Sequence, residues 1–183
     1  NQFQFLLEKL KKHYGNDNQR KIGMALHSLR AVSPEMAKDA VALMSEEPIH
    51  IHISEQTKEV DQCVGWSGQR PVEWLLVNIN VDRRWCLIHA THMTDAEIIA
   101  LAQTHAAVGL CPTTEANLGD GLFSLKQFMC QQGKIGIGSD SNTSVDVAEE
   151  LRLLEYGQRL TLRRRNIGAI SEGDSTGETL FKA

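Results

Sequence analysis

Pro48-Ile49-His50-Ile51-His52-Ile53-Ser54-Glu55-Gln56 is the stretch on which the reading of the chain turns. Ile49, Ile51 and Ile53 alternate with His50, His52 and Ser54, the period-two pattern of a β-strand whose two sets of side chains point to opposite faces. The polar set faces inward or into a cleft. Alternating histidines with a carboxylate three residues on suit a metal ligand beside a proton shuttle, because imidazole binds zinc and a nearby Glu can carry a proton of the attacking water. Packed or solvated histidines are the commoner reading of such a pair alone, so the neighbouring units decide.

Upstream, Ile22-Gly23-Met24-Ala25-Leu26 reads as a strand that ends at His27-Ser28-Leu29-Arg30. Ser33 then caps a helix with Pro34 in its first turn, running to about Met44. Before these, Phe3, Phe5, Leu6, Leu7 and Leu10 give an amphipathic helix ending near Gly15. Downstream, a helix from about Thr57 to Val64 and a second opened by Pro71 precede the strand Trp85-Cys86-Leu87-Ile88-His89. Thr94 and Glu97 form a capping-box pattern ahead of Ile98, Ile99 and Leu101. The strand Ala107-Val108-Gly109-Leu110-Cys111 leads into a polar loop from Pro112 to Gly121, and a helix from about Leu125 to Gln132 stops at Gly133. Lys134-Ile135-Gly136-Ile137-Gly138 delivers Ser139-Asp140-Ser141-Asn142. A last helix, about Val145 to Leu160, carries Glu149, Glu150, Arg152 and Glu155 on its wetter side.

Five strands alternating with helices, each strand short, apolar and buried on both faces, make the class α/β. Polar residues gather after the strands: His27 and Arg30, His52 and Glu55, His89 and His92, Glu115 and Asn117, Asp140. Open sheets and closed barrels both put ligands at strand C-termini, but a barrel explains why five successive ends are decorated. The expectation is the C-terminal portion, about five β/α units, of a (β/α)8 barrel. Gly136-Ile137-Gly138-Ser139-Asp140 does not complete a glycine-rich phosphate loop, since no third Gly and no Lys follow at the required spacing.

Composition narrows the partners. A chain of 183 residues, 42% hydrophobic and 23% charged, can bury a core. A net charge of −4 leaves no basic footprint for nucleic acid, and Arg163-Arg164-Arg165 reads as a solvated helix end. Cys63, Cys86, Cys111 and Cys130 are scattered without a C-x-x-C pair, as expected of reduced thiols packed like small apolar residues in a cytoplasmic protein. No apolar run approaches the roughly 18 residues that span a bilayer, so no membrane partner is expected.

His52 with Glu55, His89 in His89-Ala90-Thr91-His92, and Gly138-Ser139-Asp140 resemble the fifth-, sixth- and eighth-strand motifs of the amidohydrolase superfamily of metal-dependent deaminases. His27-Ser28-Leu29-Arg30, the stretch from Thr114 to Gly121 and that from Glu149 to Leu160 resemble, within it, the formimidoylglutamate deiminases. The resemblance runs from about Ile22 to Asn166 and more faintly through the stretch from Ser175 to Phe181. It implies that His52 and Asp140 ligate zinc and that Asp140 also takes a proton from the attacking water. Glu55 would protonate the imine nitrogen so that ammonia leaves, and His89 would polarise the attacking water. His27 and Arg30 would bind the substrate carboxylate, for which Arg has a matching two-pronged geometry. The implied reaction converts N-formimino-L-glutamate to N-formyl-L-glutamate and ammonia in histidine degradation, the substrate being a small formimino amino acid.

The family's His-x-His pair of the first barrel strand has no counterpart here, because no strand before Ile22 could supply it. The N-terminal strands and the family's small β-domain are likewise missing from residues 1–183. Two ligands fall short of the three of a usual catalytic site, so this chain by itself is expected to be inactive. An opened barrel also exposes two sheet edges, which makes a homo-oligomer the expected partner state. Other readings are a related amidohydrolase deaminase acting on a nucleobase or triazine, a non-catalytic self-associating fragment, and an open-sheet nucleotide binder.

Overall fold

The computed structural model describes residues 2–15 and 17–183. Its frame is a sheet of five strands: β1 (Met24–Ala25), β2 (Ile49–Ile53), β3 (Trp85–His89), β4 (Ala107–Leu110) and β5 (Lys134–Ile137). They lie side by side in chain order and every pair is parallel. No strand order reverses, so the sheet lacks the switch point of a doubly wound fold. This is the α/β class expected, and the order is that of successive units of a (β/α)8 barrel.

Around the sheet, α1 (Gln2–Tyr14) precedes β1, α2 (Pro34–Ala42) joins β1 to β2, and α3 (Thr57–Ser67) and α4 (Pro71–Asn78) join β2 to β3. Helix α5 (Asp95–Gln103) leads to β4, α6 (Pro112–Leu118) and α7 (Leu125–Cys130) lead to β5, and α8 (Val147–Leu162) and α9 (Thr176–Lys182) follow. The helix starts obey their local chemistry. Ser33 Oγ accepts the Met36 N–H at 3.2 Å, and Thr94 and Glu97 close a reciprocal capping box. Asp146 caps α8 by accepting the Ala148 and Glu149 N–H groups at 2.7 and 3.1 Å.

Right-handed crossovers in an in-order parallel sheet place every connection on the same side. One face therefore carries the core. Ile49, Ile51, Ile53, Trp85, Leu87, Val108, Leu110 and Ile135 are buried beneath the helices, where full burial of one such side chain contributes roughly 1.5–3 kcal/mol. The other face bears the alternate set: His50, Lys134 and Gly136 are exposed, and His52, Cys86 and Ile88 half-buried. The expectation that each strand is buried on both faces is corrected accordingly.

Other boundaries differ too. The first strand is two residues, not five, and pairs with β2 alone in this sheet; α3 runs on to Ser67, where Gly68 at φ 75° ends it. The polar stretch after β4 is not a loop but helix α6, with Pro112 in its first turn and Gly119 at φ 71° closing it. Glu150 and Glu155 of α8 are not on a wet side: they are buried and hydrogen-bonded. All four cysteines are free, but Cys130 is exposed rather than packed. Residues 163–165 are exposed, in keeping with a solvated helix end.

Candidate functional site

Four of the five strands end in or just before a non-glycine residue with left-handed backbone: His27 (φ 61°), Ser54 (φ 51°), His89 (φ 69°) with Ala90 (φ 47°), and Asp140 (φ 49°). Each such residue costs on the order of 1–3 kcal/mol and persists only where its surroundings hold it. Here the turns break the alternation of the strands and set polar side chains on the C-terminal rim of the sheet.

Three imidazoles line up across that rim. The rings of His27 and His52 lie 5.4 Å apart, and those of His52 and His89 are stacked at 5.7 Å. His52 Nδ1 donates to the His27 carbonyl oxygen at 2.9 Å, the same oxygen that accepts the His52 backbone N–H at 2.7 Å. With its proton held on Nδ1, the ring presents the Nε2 lone pair, the form in which histidine binds a metal. His27 Nδ1 is itself within 3.0 Å of Ser28 Oγ.

His89, at the end of β3, is 1% exposed and stands between two carboxylates. Its Nε2 is 3.7 Å from Glu55 Oε1 and its Nδ1 3.2 Å from Glu115 Oε1. Burial pushes His89 down, but the bond to Glu115 and the charges of Glu55, Glu115 and Asp140 outweigh it, so the ring sits above its ordinary value. Burial pushes the Glu55 carboxyl up; His89 opposes this, while Asp120 and Glu59 reinforce it. The Glu55 backbone N–H is fixed by Glu59 Oε2 at 2.9 Å. A carboxyl pushed up by burial and set beside an imidazole is suited to proton transfer.

Asp140 lies in the exposed turn after β5, near enough that its charge acts on His89 and Cys111. That turn is tethered by Thr114 Oγ1, which donates to the Ser139 carbonyl at 2.8 Å. Arg30 lines a hollow with Leu29, Glu59, Gln62, Cys63, Trp66 and Pro71, none of them a residue of the imidazole row. The sequence-predicted set is thus brought to one rim, with His27, His52, His89 and Glu55 in a connected group and Asp140 and Arg30 at its margins.

Sequence reasoning missed the first turn of α6. His89, Cys111 and Glu115 are all buried, with ligand-type atoms within 4.8 Å of one another, a group that could hold a cation. Burial, with the nearby carboxylates of Glu115, Asp140 and Glu150, pushes the Cys111 thiol up to about 12. Glu115 Oε1 already accepts the Cys111 N–H at 2.9 Å as well as facing His89. The available signal was Pro112 followed by Thr113, Thr114 and Glu115, a helix start with an acidic first turn.

The sequence profile of the amidohydrolase family matches residues 3–172. A formimidoylglutamate deiminase of Pseudomonas aeruginosa is 52% identical over 163 residues, 88% of this chain and 36% of the relative. The crystal structure of an amidohydrolase from Brucella melitensis superposes with a TM-score of 0.94 at 51% identity, covering 98% of this chain and 40% of that one. An adenosine deaminase from Xanthomonas campestris with bound zinc shares the fold, at a TM-score of 0.81 and 23% identity, over 90% of this chain and 39% of its own. This chain therefore spans well under half the length of the proteins it matches. By a profile that covers nearly all of its residues, and by a sheet whose strand ends carry the polar groups described above, the chain belongs to the amidohydrolase family.

Proposed function

We propose that this chain carries the proton-transfer side of a formimidoylglutamate deiminase, a hydrolase that converts N-formimino-L-glutamate and water to N-formyl-L-glutamate and ammonia. The observation that supports this most is the row His27, His52 and His89 with Glu55 behind it, on a chain 52% identical to a relative of that name. Residues 1–183 are read as part of one barrel domain, completed by strands outside this stretch, in a cytoplasmic protein of histidine degradation. On that reading the chain alone is inactive.

Zinc fits the donors present. His52 offers an Nε2 lone pair, fixed by its Nδ1 bond to His27, and Asp140 an exposed carboxylate, the nitrogen and oxygen ligands zinc takes. When bound, the metal supplies Lewis acidity that makes water ionisable near pH 7. The rest falls to the protein. Asp140 accepts the proton lost as water adds to the formimino carbon. His89, through Nε2, orients the attacking oxygen. Glu55, whose carboxyl is pushed up by burial, delivers one proton to the imine nitrogen and the proton taken by Asp140 follows to the same nitrogen; the C–N bond breaks, ammonia leaves, and the hydroxyl oxygen returns its last proton to Glu55 as the C=O of the formyl group forms. Arg30, from beside the row, and His27, at its end, grip the glutamate carboxylates.

The test measures ammonia release from N-formimino-L-glutamate, a nucleobase and a triazine by the zinc-loaded protein with its barrel complete. Asp140→Asn is expected to lose at least about 10²-fold in kcat, and Arg30→Ala to raise KM for the formimino acid. Turnover of a nucleobase or triazine but not of the formimino acid would move the assignment to another deaminase of the family.

A further inference from the structure

We infer that Glu115 is the positioning residue for His89, holding its imidazole with the proton on Nδ1 so that the Nε2 lone pair faces the site. What His89 then does rests on the proposed deiminase reading; the tautomer does not. Glu115 is 3% exposed, and its Oε1 accepts the Cys111 N–H at 2.9 Å and lies 3.2 Å from His89 Nδ1. The Glu115 N–H in turn donates to the Cys111 carbonyl at 2.9 Å, so backbone and side chain are both clamped to the end of β4. A carboxylate oxygen can only accept, so the nitrogen facing Oε1 is the donor.

The clamp is braced from two sides. Thr113, two residues before Glu115, gives its N–H to Glu150 Oε2 at 2.9 Å and its hydroxyl to Glu150 Oε1 at 2.5 Å, which docks α6 on α8. Thr114 holds the Ser139 carbonyl beside Asp140. One helical turn, Pro112 to Glu115, thus fixes His89 of β3 and the Asp140 turn of β5 to a common base. A carboxylate serving only as a helix cap would need neither the burial nor the imidazole.

The occupant this geometry opposes is a cation between His89, Cys111 and Glu115, because Oε1 is engaged twice and Nδ1 carries a proton. The test uses the zinc-loaded protein with its barrel complete, as wild type, Glu115→Gln and Glu115→Asp, with Glu150→Gln as a control on α6. Long-range proton–nitrogen NMR of His89 at pH 8 is expected to show the Nδ1–H tautomer in wild type and Glu115→Asp. Glu115→Gln, whose amide can donate, is expected to shift the population toward Nε2–H. In the same variant kcat should fall about 10–100-fold with KM within about twofold, the range for loss of a residue that orients a catalytic group. Glu150→Gln should leave the tautomer as it is. An Nε2–H tautomer in wild type would overturn the inference, as would a Glu115→Gln protein with unchanged tautomer and kcat. So would a zinc–sulfur distance of about 2.3 Å in X-ray absorption. Should wild type fail to turn over the formimino acid, the deiminase reading falls while the NMR result still decides the role of Glu115.

Discussion

Replacing Glu97 by Ala separates a surface cap from a buried hub. As a capping box alone, the Thr94/Glu97 pair contributes about 1 kcal/mol. The structure shows more: Glu97 is 4% exposed, and its Oε2 accepts the Thr94 N–H (2.8 Å), the Thr94 hydroxyl (3.0 Å) and Arg70 Nε (2.9 Å). Its Oε1 accepts the Glu73 N–H of α4 at 3.2 Å, and Arg70 continues to the His92 carbonyl at 2.5 Å. Removing one partner of a buried pair costs about 3–5 kcal/mol. Because the Arg70 side chain is 31% exposed and can rehydrate, the low end applies, about 3 kcal/mol. At about 2–4 °C per kcal/mol for a chain of this size, Tm should fall about 6–12 °C. The assay is urea unfolding followed by circular dichroism, with a lower midpoint and an unchanged slope. A loss of about 1 kcal/mol or less, or a coupling near zero in the Arg70→Ala/Glu97→Ala cycle, would refute the hub and leave only the cap.

Two further outcomes test other parts of the fold. Burial pushes Glu47 up, but bonds from Lys11 and from its own, Ser45 and Glu46 backbone N–H groups hold it at about 2, against an ordinary 4.5. A depressed carboxylate stabilises the fold above its unfolded value and loses that contribution as pH falls through the folded one, so Glu47→Gln should flatten the acid loss of stability between about pH 5 and 2, and equal slopes in both proteins would count against it. Glu155 pins residues 167–168 by accepting the Ile167 N–H at 2.9 Å and the Gly168 N–H at 2.8 Å while bonding Arg159. Glu155→Ala should let trypsin cut after residues 163–165 about tenfold faster at low protease, and an unchanged rate would show that the tail is held by other means.

The alternation around His52 located one strand within the stretch from Pro48 to Gln56, and the apolar run from Trp85 to His89 located another to the residue, because both are local signals. Ser33, Pro71 and Thr94 likewise announced their helices through groups that lie within a turn of them. What stayed hidden is non-local. Pro112 to Leu118 looks polar because its partners, Glu150 on α8 and His89 on β3, are 37 and 26 residues from Thr113 and Glu115. Glu150 and Glu155 read as wet because charge usually means solvent, and only the fold reveals the amides that receive them. His27, His52, His89 and Glu55 were named from the sequence and stand together, whereas Glu115 was noticed without a role. Arg30 and Asp140 were named too, and they stand at the edge of that group.

The strand order also bears on how the chain finds its shape. Register partners such as Met24 and Ile49, Ile49 and Trp85, Cys86 and Ala107, or Ala107 and Lys134 lie roughly 20–40 residues apart, so no pairing waits for a distant segment to be synthesised. Each unit can dock on the one before it as it leaves the ribosome. Assembly of this kind is incremental and directional, and a defect in β1 weakens one seam while the four strands beyond it retain their own template.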